Sequence, residues 1–297
     1  MLAYNHEKWI GQAIESVLAQ DFEDFEIVIG DDASTDRTLA IVQEYAAKDA
    51  RVRPLPSEKN LGGRPNFKRT HGACRGDFIN VLDGDDYFID DQKLGLQVRM
   101  LDQDPSLAGC FTGSQEVALD GTPLGPGKHP KPRKERYTIF DFARYCMSDC
   151  AAMMYRRGHF EELPELFFSC PQGDWPLHML NALHGDFGYI HRVSSAYRIH
   201  AGGVWNKKSS KAKILANLEC QRQFLIHLPP DTVREIRPAI ARSAWGKLKP
   251  LLAMGEWDSV EMLLGWLNTH CKGHVPLRKT LKARIRLRLA RRRAQRA

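Results

Sequence analysis

Two short, mostly apolar runs that each end in carboxylates constrain this 297-residue chain more than any other feature. Phe25-Glu26-Ile27-Val28-Ile29-Gly30 ends at Asp31-Asp32, and Phe78-Ile79-Asn80-Val81-Leu82 ends at Asp83-Gly84-Asp85-Asp86. Such runs read as strands buried in a parallel sheet rather than as half-exposed strands. The segments around them carry helical periodicity. Trp9, Ile10, Ala13, Ile14, Val17 and Leu18 predict an amphipathic helix over 7–20. A second helix is expected over 36–47, opened by the N-cap cluster Ser34-Thr35-Asp36. A strand over 51–55 follows, then the loop Gly62-Gly63-Arg64-Pro65 and a helix over 66–74. This alternation predicts an α/β domain whose mainly parallel, Rossmann-like sheet is flanked by helices. Ligands of such sheets bind beyond the carboxyl ends of the strands, where both acidic clusters sit. Tyr4-Asn5 takes the same position if a strand precedes it. Only three residues do, so the first strand is expected to be truncated.

The middle of the chain is less regular. A helix is expected over 93–101, strands over 108–119, 151–155 and 187–197, and a helix over 176–183. Gly125 to Lys134 is rich in Pro, Gly and Lys and reads as a loop. After about residue 208 the pattern is helical, with helices near 208–228, 231–253, 256–268 and 276–294. The division expected is a catalytic domain over 1–205 and an all-α extension over 206–297.

Charge and cysteine usage narrow the classes further. The net charge is +7, yet Arg278 to Ala297 hold ten Lys or Arg and no acid. Without them the body has 33 basic and 36 acidic residues and is mildly acidic. Basicity confined to a tail is poor support for nucleic-acid binding by the whole protein, and no nucleic-acid partner is expected. Seven cysteines at irregular spacing, without a CxxC pair, suggest neither structural zinc nor a secreted disulfide framework. No apolar run approaches the roughly 20 residues that span a bilayer. The polar segment Tyr4-Asn5-His6-Glu7-Lys8 follows almost directly on Met1, so no signal peptide is expected. The expected location is the cytoplasm.

Clustered carboxylates repel one another, and a divalent cation removes that cost. Hard oxygen donors suit Mn²⁺ or Mg²⁺ shared with a substrate diphosphate. Gly84 allows close backbone approach to a bound ligand. The competing reading is that Asp31, Asp32, Asp83 and Asp85 are helix caps and loop acids. Asp174, in Gln172-Gly173-Asp174-Trp175, precedes a predicted helix and is open to the same capping reading.

Several motifs together then carry a resemblance. Tyr4-Asn5, Ala13 to Gln20 and Asp24 to Asp36 resemble the opening of family-2 glycosyltransferases of the GT-A fold. Asn60-Leu61-Gly62 and Gly76-Asp77-Phe78-Ile79 continue the pattern, and Asp83-Gly84-Asp85 looks like the family's DXD motif. The ordered match covers about residues 3–205. It implies that Ala3, Tyr4, Asn5, Asp31, Asp32, Asp83 and Gly84 bind the nucleotide sugar, with Asp32 reading the base. It implies that Asp85 binds a metal bridging the diphosphate and that Asp174 is the general base. Trp175, next to Asp174, either lines the acceptor site, since aromatic faces stack on sugars, or is a buried anchor. Tyr197 to Trp205 resembles the segment that closes over the donor, which makes His200 a candidate metal ligand and Arg198 a candidate phosphate contact. The Gln-x-x-Arg-Trp motif of processive synthases is absent, which implies transfer of single sugars. Lys68 stands where many members have Asn.

The expected function is inverting transfer of one sugar from a nucleotide-diphosphate sugar to an acceptor hydroxyl, in cell-surface glycan or lipopolysaccharide synthesis. The alternative is a non-catalytic sugar- or membrane-binding protein on the same scaffold. In the tail, Leu277, Leu281, Ile285 and Leu289 recur every four residues among Lys and Arg. As a helix over 277–297 this is suited to an anionic membrane surface, which would serve a lipid-linked acceptor. A terminal helix packed on the domain, with a frayed and solvated end, is the competing reading; the acceptor expected is a saccharide or a lipid-linked one.

Overall fold

The computed structural model describes residues 1–131, 133–203 and 205–274. The helix expected in the basic tail over 277–297 lies outside the described residues. Two compact units are present. One comprises Met1–Thr138, Met147–Pro164 and Leu180–Lys207; the other comprises Ile139–Cys146, Glu165–Met179 and the chain from Lys208.

The first unit opens with β1 (Leu2–Ala3), α1 (Ile10–Leu18), β2 (Ile27–Asp31), α2 (Thr38–Ala46), β3 (Val52–Pro56) and α3 (Gly63–Gly72). The three strands are parallel in the order β1-β2-β3, with Ala3 opposite Asp31 and Asp31 opposite Pro56. Helix α1 forms where the apolar period predicts it, burying Ile10, Ala13, Ile14 and Val17 on one stripe. Gly30 is glycine because α3 crosses β2 closely: a Cβ there would lie 1.8 Å from Thr70 Oγ1.

The unit continues with β4 (Phe78–Asn80), β5 (Tyr87–Phe88), α4 (Lys93–Gln103), β6 (Leu107–Val117), β7 (Arg136–Tyr137), a 3-10 turn (Cys150–Ala152), β8 (Met153–Arg156) and β9 (Asp186–Arg198). These strands run in the order β4-β8-β6-β9-β5, with β7 also on β9. β6 and β9 are parallel, and the other neighbours are antiparallel. The run expected as a parallel strand over 78–82 thus pairs antiparallel with β8 first. Only beyond β4 does it meet β1, where Leu2 bridges Asp83 in parallel. There Leu2 N donates to Leu82 O at 3.0 Å and Gly84 N to Leu2 O at 2.8 Å. β1 therefore lies between β2 and the 82–84 segment, which sets both acidic clusters beside one short strand.

Lys93 is an unexpected core residue of this unit. Its ammonium donates to Gln97 Oε1 at 2.6 Å and lies 4.2 Å from the centre of the Phe88 ring. Complete burial pulls its pKa down to about 7.

The second unit is helical: α5 (Ile139–Phe142), α6 (Glu165–Ser169), the Asp174–Met179 part of α7 (Asp174–Asn181), α8 (Ser210–His227), α9 (Pro230–Gly246), α10 (Leu248–Ala253) and α11 (Trp257–His270). The single helix expected over 231–253 is two. Gly246 weakens the end of α9, and Pro250 is tolerated because it falls in the first turn of a new helix. Ser209 caps α8, its Oγ accepting from Ala212 N at 3.2 Å. All seven cysteines are free thiols. Among the described residues, no helix is long and apolar enough to cross a membrane.

Candidate active site

The loop after β1 and the loop after β2 are tied together. Asn5 adopts φ 56°, a left-handed conformation that asparagine tolerates better than most residues. In that conformation its N–H donates to Ser34 Oγ at 3.0 Å and its Oδ1 accepts from Thr35 N at 2.8 Å. His6 N donates to Thr38 Oγ1 at 2.7 Å, and Arg37 N to Glu7 Oε2 at 3.0 Å. Asn5 thereby ties the two loops together, while the Tyr4 side chain remains exposed.

Asp31 and Asp32 are buried at the end of β2, at 0% and 3% exposure. Asp31 accepts from Ser34 Oγ at 2.5 Å and from Ser34 N at 3.1 Å. Asp32 accepts from Leu61 N at 2.8 Å and Gly62 N at 2.9 Å, and its own N–H donates to Ala3 O at 3.0 Å. Gly62 has φ 85°, so this carboxylate clamp holds a turn that favours glycine. Arg69 reaches the same edge and donates to Asp31 O at 2.5 Å. Ala3, Asp31 and Asp32 are thus brought together at the ends of β1 and β2, with both carboxylates already holding backbone.

On the other side of β1, Asp83, Asp85 and Asp86 offer carboxylate oxygens all within 4.8 Å of one another. Asp86 is buried and accepts from Arg198 N at 2.8 Å. Burial, and then the charges of Asp85 and Asp83, push its pKa well above the usual carboxylate range. His200 Nε2 lies 2.9 Å from Asp85 Oδ2, and the rings of Trp9 and His200 pack with centres 4.6 Å apart. His6 Nε2 lies 3.9 Å from the same Asp85 oxygen. Burial lowers the pKa of His6; Asp85 opposes this shift and His200 adds to it.

Hard carboxylate oxygens joined by imidazole nitrogen are a donor set that suits Mn²⁺ and accepts Mg²⁺. Carboxylates crowded this closely repel one another, and a cation among them relieves that repulsion. The residues present therefore fit a divalent cation.

Two expectations need correction in their physical reason. The close approach that requires glycine at 84 is made by the protein itself: a Cβ would lie 2.8 Å from His6 Nδ1 and 3.1 Å from Leu2 O. Arg198 is 3% exposed, and its guanidinium donates to Asp85 O at 2.9 Å, Leu119 O at 2.7 Å and Gln12 Oε1 at 2.6 Å. It braces the acidic loop from beneath rather than presenting a free cation to phosphate.

In the second unit, Asp174 is the first residue of α7 and is half-buried. Trp175 is a buried anchor, not an acceptor platform. It is 1% exposed, its Nε1 donates to Phe142 O at 2.6 Å, and its ring meets Phe224 edge-on at 5.2 Å. Sequence reasoning missed His6, Trp9 and Gln12. The available signal was that His6 and Trp9 lie between β1 and α1, and Gln12 in the first turn of α1, next to the ligand edge of the sheet.

A family model described as glycosyl transferase family 2 matches residues 1–163, more than half of the chain. The uncharacterized protein Rv1520 of Mycobacterium tuberculosis is 31% identical over 207 residues, which are 69% of this chain and 59% of that protein. The chain thus spans about three fifths of the length of that relative. Chondroitin synthase of Escherichia coli is 38% identical over 125 residues, 42% of this chain and 18% of that protein. Residues 1–349 of S. aureus TarS, solved in complex with UDP-GlcNAc, superpose with a TM-score of 0.62 at 20% identity, covering 82% of this chain and 69% of that one. A parallel three-stranded edge, an acidic cluster beside its first strand and a family match over the same residues agree: the chain belongs to glycosyl transferase family 2 and has the GT-A fold.

Proposed function

We propose that this chain transfers a single sugar, with inversion, from a nucleotide-diphosphate donor to an acceptor hydroxyl in the synthesis of a cell-surface glycan. The observation that carries the reading is the Asp83–Asp85–Asp86 cluster beside β1, with His200 on Asp85. UDP-GlcNAc in the TarS complex and the synthase activity named for the E. coli relative support a nucleotide-sugar donor and a glycan product.

In this reading Ala3, Tyr4 and Asn5 border the nucleoside, with Asp31 and Asp32 fixing the wall behind it. Asp83 faces the ribose and sugar, and Asp85 and His200 hold Mn²⁺ or Mg²⁺. The cation, when bound, supplies Lewis-acid stabilisation of the departing diphosphate. Asp174 accepts the proton of the acceptor hydroxyl as its oxygen bonds to the anomeric carbon and the bond to the diphosphate breaks. Such a base contributes about 10²–10⁴-fold. The catalytic domain is assigned to 1–205, and the basic residues of 277–297 to an anionic membrane surface that presents a lipid-linked acceptor.

The test separates binding from chemistry. Asp174→Asn should bind nucleoside diphosphate with Mn²⁺ as the parent does, in a thermal-shift titration, and lose transfer by about 10²-fold or more. Parental transfer by Asp174→Asn removes it as the base. Nucleotide binding without turnover of any sugar nucleotide by the parent favours a non-catalytic sugar-binding protein.

A further inference from the structure

Asp174 opens α7, and the first residue of a helix has no preceding turn of that helix to hold it. Its place depends on what holds the residues on either side, and within the helical unit both sides are held. Gln172 Nε2 donates to Asn217 Oδ1 at 2.5 Å. Trp175 Nε1 donates to Phe142 O, and the Trp175 ring packs edge-on against Phe224.

Asn217, Gln221 and Phe224 lie on α8 at a spacing of four and then three residues, which puts them on one face of the helix. Gln221 fills the place between the two contacts. Its Nε2 donates to Ala143 O and Arg144 O, both at 3.2 Å. The carbonyls of 142–144 thus accept from α7 and α8 alike, and Ser243 Oγ of α9 donates to Arg144 O as well. Trp175, Gln221 and Phe224 are buried, whereas the Gln172–Asn217 pair is only partly so. A partly buried amide pair adds little to a core. Two residues before Asp174, it fixes instead the direction in which the chain enters α7.

All of these residues belong to the helical unit, so Asp174 folds with the helices that follow residue 208 and not with the strands that carry Asp83 and Asp85. The family model ends at residue 163, so α7 and α8 lie beyond the stretch it matches. A base must stand within hydrogen-bond reach of the proton it takes, and a displacement of about 1 Å costs about 10²-fold.

We propose that α8 sets the position of the base, with Asn217, through Gln172, and Phe224, through Trp175, as positioning residues for Asp174. The proposal rests on the reading of Asp174 as the base and deepens it by giving the C-terminal helices a part in the transfer step.

The test uses the full chain. Binding is read by calorimetric titration with UDP and Mn²⁺, which also counts sites per chain. Transfer is read as release of nucleoside diphosphate, with kcat expressed per binding site so that unfolded chains do not count. Asn217→Ala should bind UDP and Mn²⁺ as the parent does, keep the donor KM and lose kcat about tenfold or more. Phe224→Leu, which keeps an apolar side chain in the core, should show the same split. On top of Asp174→Asn, Asn217→Ala should cause no further loss, because residues that act through one another are not additive. Parental kcat in Asn217→Ala overturns the proposal; if Asp174→Asn has lost transfer, Asp174 stands as the base. A full further loss on top of Asp174→Asn also overturns it, since Asn217 then acts independently of the base. Parental transfer by Asp174→Asn overturns the base reading and the positioning role together.

Discussion

The two acidic clusters flank the same short strand and hold the same kind of side chain, yet they are built for different work. Asp31 and Asp32 spend their lone pairs on Ser34, Leu61 and Gly62, so each carboxylate fixes a loop beyond the strand ends. Across β1, Asp83, Asp85 and Asp86 crowd within 4.8 Å, and burial first, then the charges of Asp85 and Asp83, push the pKa of Asp86 up. The first cluster is stabilised by the backbone it organises. The second leaves electrostatic strain that a cation relieves. Acids at a strand end are therefore not one class of evidence; their hydrogen-bond partners decide whether they are scaffold or site.

The largest effect that separates the clusters is expected in Asp85→Ala. Removing the oxygen shared by both imidazoles should lower kcat for transfer by about 10²–10³-fold, comparable to losing a key electrostatic contact in a transition state. Tm should change less than in Asp32→Ala, because the Asp85 carboxylate meets the His200 and His6 rings rather than loop N–H groups. A steady-state assay at saturating Mn²⁺ checks this, and parental turnover would break the comparison.

Next is Arg198→Met. The guanidinium's bonds to Asp85 O, Leu119 O and Gln12 would be lost, leaving buried acceptors unpaired, at a cost of about 2–4 kcal/mol. Urea unfolding should register that loss. Mn²⁺ affinity should also fall, since the acidic loop loses its brace.

Asp32→Ala should show the reverse signature of Asp85→Ala. Two loop N–H groups lose their acceptor, costing about 1–3 kcal/mol in stability, and KM for the donor should rise. Mn²⁺ affinity, measured without nucleotide, should stay at the parental value. A fall there would mean that the two clusters act as one.

The smallest effect tests a buried charge outside both clusters. Lys93 titrates at about 7 in the folded chain, below its unfolded value of about 10.4. Between those values the unfolded state binds the extra proton, so this group adds stability as pH rises. Lys93→Met removes that dependence. The stability lead of Lys93→Met over the parent should shrink by about 1 kcal/mol between pH 7 and 8. A constant gap across that window would show that Lys93 does not titrate there.

Much of the site was readable from residue order. The run ending at Asp31-Asp32 is β2, the Ile10–Val17 stripe is α1, and the DXD-like acids do cluster. Local patterns carry such elements because burial imposes a period on one segment at a time. His6 was not legible, because its meaning depends on Asp85 and His200, which lie far away in sequence. Trp175 was ambiguous for a similar reason: only its bond to Phe142 O and its contact with Phe224 show that it is an anchor. The antiparallel pairing of β4 with β8 was hidden too, since a buried run looks alike in either direction.

By itself, the sequence determined the α/β class, the strands that end in acids, the helical C-terminal region and the family resemblance. Each rests on periodicity or on motifs that a short window contains. Tertiary structure alone decided which carboxylates hold backbone and which crowd together, and that Arg198 is a brace. It also decided that two histidines from distant segments meet at one oxygen of Asp85. Those outcomes depend on which segments β1 lies between, and no local pattern encodes a neighbour brought in by the sheet.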